Sequence, residues 1–120
     1  MGCHFTVETS GPVRILRLEG SDFAMPHLAQ FRAVFSQIVA TDSVSPLAMD
    51  TTGLELVGSC CLAGIIDYAL GFRKRSLRLF LVENRSDILE VFQVASLGAI
   101  LPIYNSVEEG IKAMSPPPPA

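Results

Sequence analysis

The chain has 120 residues, of which 49% are hydrophobic and 18% charged, and its 9 basic and 12 acidic side chains leave a net charge of −3. With a mean hydropathy of +0.41, it has the size and apolar content of one domain with its own core, and it falls outside the low-hydrophobicity, high-charge regime of disordered chains. No excess of positive charge is available to track a phosphate backbone, so nucleic-acid binding is not expected.

Residues 4–10 alternate Phe5 and Val7 with polar neighbours, Gly11-Pro12 supplies a turn, and residues 13–18 alternate again, which predicts an antiparallel hairpin. Pro26 suits a first helical turn, and Leu28, Phe31, Val34, Phe35 and Ile38 recur at helical spacing, predicting a helix over about residues 25–40. Residues 46–50 are short and apolar and end in Asp50, as a central strand of an α/β sheet often does. A second helix is expected from Ser59 to near Gly71, with Leu62, Ile65, Ile66 and Ala69 as its buried stripe.

A strand at 77–82 follows, then a helix capped by Asn84 or Ser86 with Ile88, Val91, Phe92 and Ala95 facing inward. Residues 100–104 read as a last strand, and Ser106 with Glu109 has the capping-box spacing that opens a last helix. The order β-β-α-β-α-β-α-β-α predicts an α/β fold, one mixed sheet with an amino-terminal hairpin and about four packed helices. Its core should contain Phe31, Met49, Leu62, Ile66, Leu79, Leu81 and Phe92. The expected domain is residues 1–114, with 115–120 a flexible proline-rich tail.

Chemistry is sparse along this chain. The three cysteines are an odd number, and Cys60 and Cys61 are adjacent, which is too close for ordinary disulfide geometry; a reducing compartment, the cytoplasm, fits. Two histidines without a C-x-x-C motif do not complete a zinc set, Asp22 and Asp50 have no third acidic residue at metal-binding spacing, and the glycines spell no nucleotide fingerprint. No cofactor is expected. The amino terminus matches the loose myristoylation pattern, with Gly2 and Thr6 in place, but reads more simply as the approach to a strand, and stable membrane association is not expected. Arg73, Lys74, Arg75 and Arg78 form the one basic cluster, where the second helix ends; it suits a helix carboxy terminus or an anionic partner. His27 beside Pro26 reads as a capping or surface residue.

The most informative stretch runs from Met49-Asp50-Thr51-Thr52-Gly53-Leu54 through Glu55-Leu56-Val57-Gly58 into Ser59-Cys60-Cys61-Leu62. It resembles the STAS domain, the sulphate-transporter and anti-sigma-factor-antagonist family, in which a strand-end aspartate is followed by a hydrophobic loop and by Asp-Ser-Ser/Thr-Gly-Leu opening a helix. Asp50 matches the aspartate, Ser59 the serine phosphorylated in that family, and Leu62 the following leucine. Leu16-Arg17-Leu18-Glu19-Gly20, the strand with Asn84-Arg85-Ser86-Asp87-Ile88, and the stretch from Leu97 to Glu109 extend the resemblance over residues 4–113. Gly58 replaces the family aspartate before the serine, and Cys61 replaces the family glycine two residues after it.

The resemblance implies a non-enzymatic switch: an anti-sigma-factor antagonist that binds an anti-sigma factor with serine-kinase activity and is released on phosphorylation of Ser59. It places the partner-binding surface on Asp22, Thr51, Leu56, Val57, Gly58, Ser59, Cys60 and Leu62, and leaves an oligomer possible. A phosphate at a helix amino terminus adds about −1.5 to −2 charges where unpaired N–H groups favour an anion. Gly58 favours the alternative of a STAS module that is never phosphorylated and serves as a scaffold or small-ligand sensor. A rival of another class is a cysteine-dependent enzyme using Cys60 or Cys61 at the helix start.

Overall fold

The computed structural model describes residues 3–11, 13–41, 46–74 and 78–114, with the side chains of residues 41, 59, 60, 72–74 and 114 outside the description. The expected tail at 115–120, the myristoylation pattern at residues 1–2 and the side chains of Arg73, Lys74 and Arg75 therefore lie outside the described residues.

Strands β1 (Cys3–Ser10) and β2 (Val13–Gly20) pair antiparallel in the register Cys3↔Gly20 to Ser10↔Val13. Gly11 takes φ +59° in the turn between them, a backbone conformation that glycine adopts without steric cost. Helix α1 (Met25–Thr41) crosses to β3 (Leu47–Leu54), α2 (Ser59–Lys74) to β4 (Leu79–Val82), and α3 (Ser86–Val94) with a short 3-10 turn at Leu97–Ala99 to β5 (Ile103–Tyr104); α4 (Val107–Met114) follows. The sheet order is β1-β2-β3-β4-β5, with every pair after the first parallel. This is the expected mixed sheet with its amino-terminal hairpin.

Alternation along the strands sends side chains to both faces, and in the central strands β3 and β4 both are buried. Leu16, Leu18, Leu47, Met49, Leu79 and Leu81 point toward α1, α2 and α3, where Phe23, Phe31, Phe35, Ile65, Ile88 and Phe92 complete the main core. Phe31 is the hub of an aromatic cluster, with its ring centroid 5.0 Å from Phe23 and 5.6 Å from both Phe35 and Tyr68. On the opposite face Val13, Ile15, Ala48, Phe80 and Val82 pack under Tyr104, Val107 and Ile111 of β5 and α4. A Cβ at Gly110 would stand 2.1 Å from the Phe80 ring, so α4 lies this close to the sheet because that position has no side chain.

Four expectations are corrected. Asp50 does not end its strand: β3 continues to Leu54, because Arg17 on the neighbouring strand neutralises the carboxylate and Glu19↔Gly53 and Gly20↔Leu54 carry the pairing on. The buried stripe of α2 is turned by about one position. Cys61, Ile65 and Ala69 are buried, while Leu62 and Ile66 are only half-buried against the core. On α3, Ile88 and Phe92 are buried but Val91 is 41% exposed, since in nine residues only one narrow stripe meets the core. Residues 100–104 yield only a two-residue strand, because the chain first closes the 3-10 turn with Ile100 N–H donating to the Leu97 carbonyl.

Candidate functional site

The parallel strands deliver their carboxy-terminal ends to one edge of the sheet, where connecting segments converge and where ligands of open α/β sheets commonly bind. At that edge residues 55–58 leave β3, run beside the chain that leaves β2, and enter α2.

This segment is held firmly. Glu55 N–H donates to the Gly20 carbonyl at 3.3 Å, Phe23 N–H to the Leu56 carbonyl at 2.9 Å, and Gly58 N–H to the Phe23 carbonyl at 2.7 Å. Phe23 and Val57 thereby form a parallel bridge outside the main strands. Phe23 is fully buried and Val57 8% exposed, so the ladder is anchored in the core from both sides. Leu56 points the other way, 60% exposed on a backbone that has little freedom to fold it inward.

The Gly58 carbonyl accepts the first bond of α2, from Leu62 N–H at 2.9 Å, so Gly58 occupies the N-cap and Ser59 is the first helical residue. Ser59 therefore begins α2, as the sequence predicts, one position after the cap. A Cβ at position 58 would lie 3.3 Å from the Phe23 carbonyl oxygen and 3.4 Å from Ala24 Cα. The glycine that stands in place of a family aspartate is thus matched to a close approach by the chain after β2.

The expected site residues divide into two groups. Asp22, which accepts a hydrogen bond from the Ser21 hydroxyl at 3.2 Å, is partly exposed; Leu56 is exposed; Gly58 and Leu62 are half-buried; and all flank the start of α2. The side chains of Ser59 and Cys60 lie outside the described residues. Thr51 is fully buried and cannot touch a partner: its hydroxyl lies 2.6 Å from Glu83 Oε1 and 2.9 Å from the Val82 carbonyl. Val57 is likewise an interior anchor for its segment.

Glu83 is the residue that sequence reasoning missed. It is fully buried, and its other oxygen accepts from Asn84 N–H at 3.1 Å and Arg85 N–H at 2.9 Å. Asn84 and Ser86 were the expected caps of α3, yet Arg85 holds the N-cap position with no side-chain cap bond. Glu83 supplies the anion there, satisfying two backbone donors at the helix start. At α1 and α4 the capping expectations hold: His27 Nδ1 accepts from Ala24 N–H at 3.3 Å, and Ser106 Oγ from Glu109 N–H at 3.1 Å.

Cys3 and Cys61 are buried. Burial, the neighbouring Cys61 and Asp22 push the Cys3 thiol up to about 11. Among the described residues no three His, Cys, Asp or Glu side chains gather to hold a metal ion, and no helix is long and apolar enough to cross a membrane.

A family model, the STAS domain, matches residues 4–110. The chain belongs to the STAS domain family. Among its STAS relatives is a Mycobacterium tuberculosis protein named as an anti-anti-sigma factor, Rv2638, which is 29% identical over 108 residues, covering 88% of this chain and 72% of that one. The STAS fold is shared with a crystal structure of an anti-sigma factor antagonist from Mycobacterium paratuberculosis, at TM-score 0.78 and 18% identity over 93% of each chain. It is shared as well with the unphosphorylated form of the anti-sigma factor antagonist SpoIIAA, at TM-score 0.74 and 20% identity over 92% of this chain and 95% of that one.

Proposed function

We propose that this STAS domain is an anti-sigma-factor antagonist that acts by binding, with the sheet edge around Leu56 and the start of α2 as its partner surface. The observation that carries the reading is the segment 55–58, an exposed leucine on a backbone clamped to Gly20 and Phe23 and leading directly into Ser59. A preorganised apolar projection loses little entropy on docking, which is what a protein-recognition loop requires. Asp22, Gly58, Ser59, Cys60 and Leu62 complete the proposed surface, while Thr51 and Val57 hold it from inside.

In this reading the partner is a cytoplasmic anti-sigma factor with serine-kinase activity, and this chain is its substrate and contributes no catalysis. Unphosphorylated, the surface docks and the sigma factor is set free. Transfer of the ATP γ-phosphoryl group to Ser59 Oγ places a doubly charged group at the first position of α2, where the helix dipole tolerates it but an apolar contact does not. The complex then separates. SpoIIAA has also been solved in a phosphorylated form, which supports this cycle by likeness. Incubation with the cognate anti-sigma factor and ATP, followed by mass spectrometry, should place one phosphate on Ser59; absence of phosphate after full turnover of a control substrate rejects the switch.

The close packing at Gly58 favours a second reading, a STAS scaffold or ligand sensor that is not phosphorylated, because the position before Ser59 in the sequence is a glycine and supplies no carboxylate. Such a protein would bind its partner equally well before and after kinase treatment. Of the two cysteines a thiol enzyme would use, Cys61 is buried, and the side chain of Cys60 lies outside the described residues.

A further inference from the structure

Helices α2 and α3 part to leave a groove of about 340 Å³ lined by Leu62, Asp87, Glu90, Val91, Val94 and Ala95. The inner side of α3, Ile88 and Phe92, is spent on the core. Its outer side nevertheless carries Val91 and Val94, three residues apart and therefore neighbours on the helix surface, 41% and 82% exposed. Valine is a mediocre helix former, so at these solvent-facing positions in a helix of nine residues it serves neither helix formation nor the core.

The groove has a sign. Its charged lining residues, Asp87 and Glu90, are both acidic. Asp87 is paired with Arg85 at 3.2 Å, which leaves Glu90 as the groove carboxylate outside that pair. Glu55, exposed beside Leu56, adds a carboxylate to the segment that leads into α2, and Leu62, one turn into α2, lines the groove. An occupant must offer apolar side chains to Val91 and Val94 and positive charge to Glu90 and Glu55.

We infer that the α2–α3 groove is a second docking site for the anti-sigma partner, taking an amphipathic segment of that protein whose apolar side chains are flanked by lysine or arginine. This deepens the proposed function and rests on it. The contact extends the partner surface away from Ser59, so it adds affinity without depending on the modified residue.

Calorimetric titration with the full-length anti-sigma factor at about 50 and about 300 mM NaCl tests the inference, using Val94→Ser, Glu90→Lys and, as a reference on the primary surface, Leu56→Asp. Val94→Ser and Glu90→Lys should each weaken binding about tenfold, and Glu90→Lys should flatten the salt dependence, with thermal midpoints unchanged because both side chains face solvent. A photo-crosslinker at position 94 should capture a basic, apolar peptide of the partner. If Leu56→Asp weakens binding while both groove variants bind like the parent, the groove is not used and the proposed function stands. If the parent itself fails to bind the anti-sigma factor, the proposed function falls and the groove assignment falls with it. A crosslink joining two copies of this chain would instead make the groove a self-association surface and overturn the inference.

Discussion

Arg17 and Asp50 are register partners on adjacent parallel strands, and the Arg17 guanidinium closes on the Asp50 carboxylate where only 5% of that side chain reaches solvent. The remaining Asp50 oxygen accepts from Thr52 N–H at 3.0 Å and from the Thr52 hydroxyl at 2.7 Å, and Arg17 also reaches Glu8 at 3.2 Å. A carboxylate is therefore tolerated in mid-strand because both of its oxygens are engaged.

Removing one partner should cost more than removing both. Arg17→Met leaves Asp50 buried without its cation and should destabilise the domain by about 3 kcal/mol in urea titration, while the double variant Arg17→Met/Asp50→Leu should recover a large part of that loss. Equal destabilisation by the single and double variants would mean that the pair is not the reason Asp50 is accommodated.

The Thr51–Glu83 pair ties β3 to the start of α3. Thr51→Val removes a hydroxyl from a buried carboxylate and should cost about 1–3 kcal/mol. Glu83→Ala also strips the backbone donors of Asn84 and Arg85, and amide exchange there should accelerate with that in the first turn of α3. If exchange at residues 84–88 is unchanged in Glu83→Ala, the carboxylate is not the cap.

Periodicity made most elements legible, and the stretch from Asp50 to Leu62 made the family legible. Neighbouring apolar positions were harder. Either Cys61 or Leu62 can lead an inward stripe along α2, and the choice is made by α1, whose Leu28 Cδ1 would lie 3.0 Å from a Cβ at Gly64, a packing constraint with no local signal. Asp50 resembled a strand end because its counter-ion sits 33 residues earlier on another strand. Glu83 carried no local signal, because its three donors come from Thr51 and from backbone that is set in place only once α3 has formed.

The Cys3 thiol, pushed up to about 11, carries a pH signature. Below about pH 9 the thiol is protonated in both folded and unfolded chains, and its contribution is fully present. Above that the unfolded thiol ionises first, so stability falls as pH rises toward 11, by up to roughly 2–3 kcal/mol. Subtracting the pH profile of Cys3→Ala isolates this slope from other titrating groups; matching profiles would contradict it. The same thiol should resist alkylation at neutral pH until the protein is unfolded.

Gly58 should tolerate substitution in a characteristic order. Any Cβ meets the Phe23 carbonyl oxygen at 3.3 Å, so Gly58→Ala combines crowding with a poor N-cap and should lower stability by about 1 kcal/mol, or roughly 3–6 °C in Tm. Gly58→Asp suffers the same crowding but regains a strong N-cap and should melt above Gly58→Ala. Should alanine melt higher, crowding rather than capping governs the position.

Ser59, placed first in α2 after an N-cap glycine, offers a cleaner switch test than a capping serine would. Ser59→Ala deletes no N-cap and substitutes a better helix former, so its Tm should stay close to that of the parent. It should bind the anti-sigma factor as the parent does and take up no phosphate. Ser59→Asp adds a charge that the helix amino terminus accepts, so it too should remain folded, yet it should weaken binding because that charge must be desolvated against the partner beside Leu56. The Gly58→Asp variant, with a carboxylate restored next to the Ser59 hydroxyl, should be phosphorylated faster than the parent if orientation of Oγ limits transfer. Calorimetry and phosphate incorporation together decide the matter: identical affinities for the parent, Ser59→Ala and Ser59→Asp, with no phosphate on Ser59 in the parent or in Gly58→Asp, would leave a constitutive STAS scaffold as the surviving account.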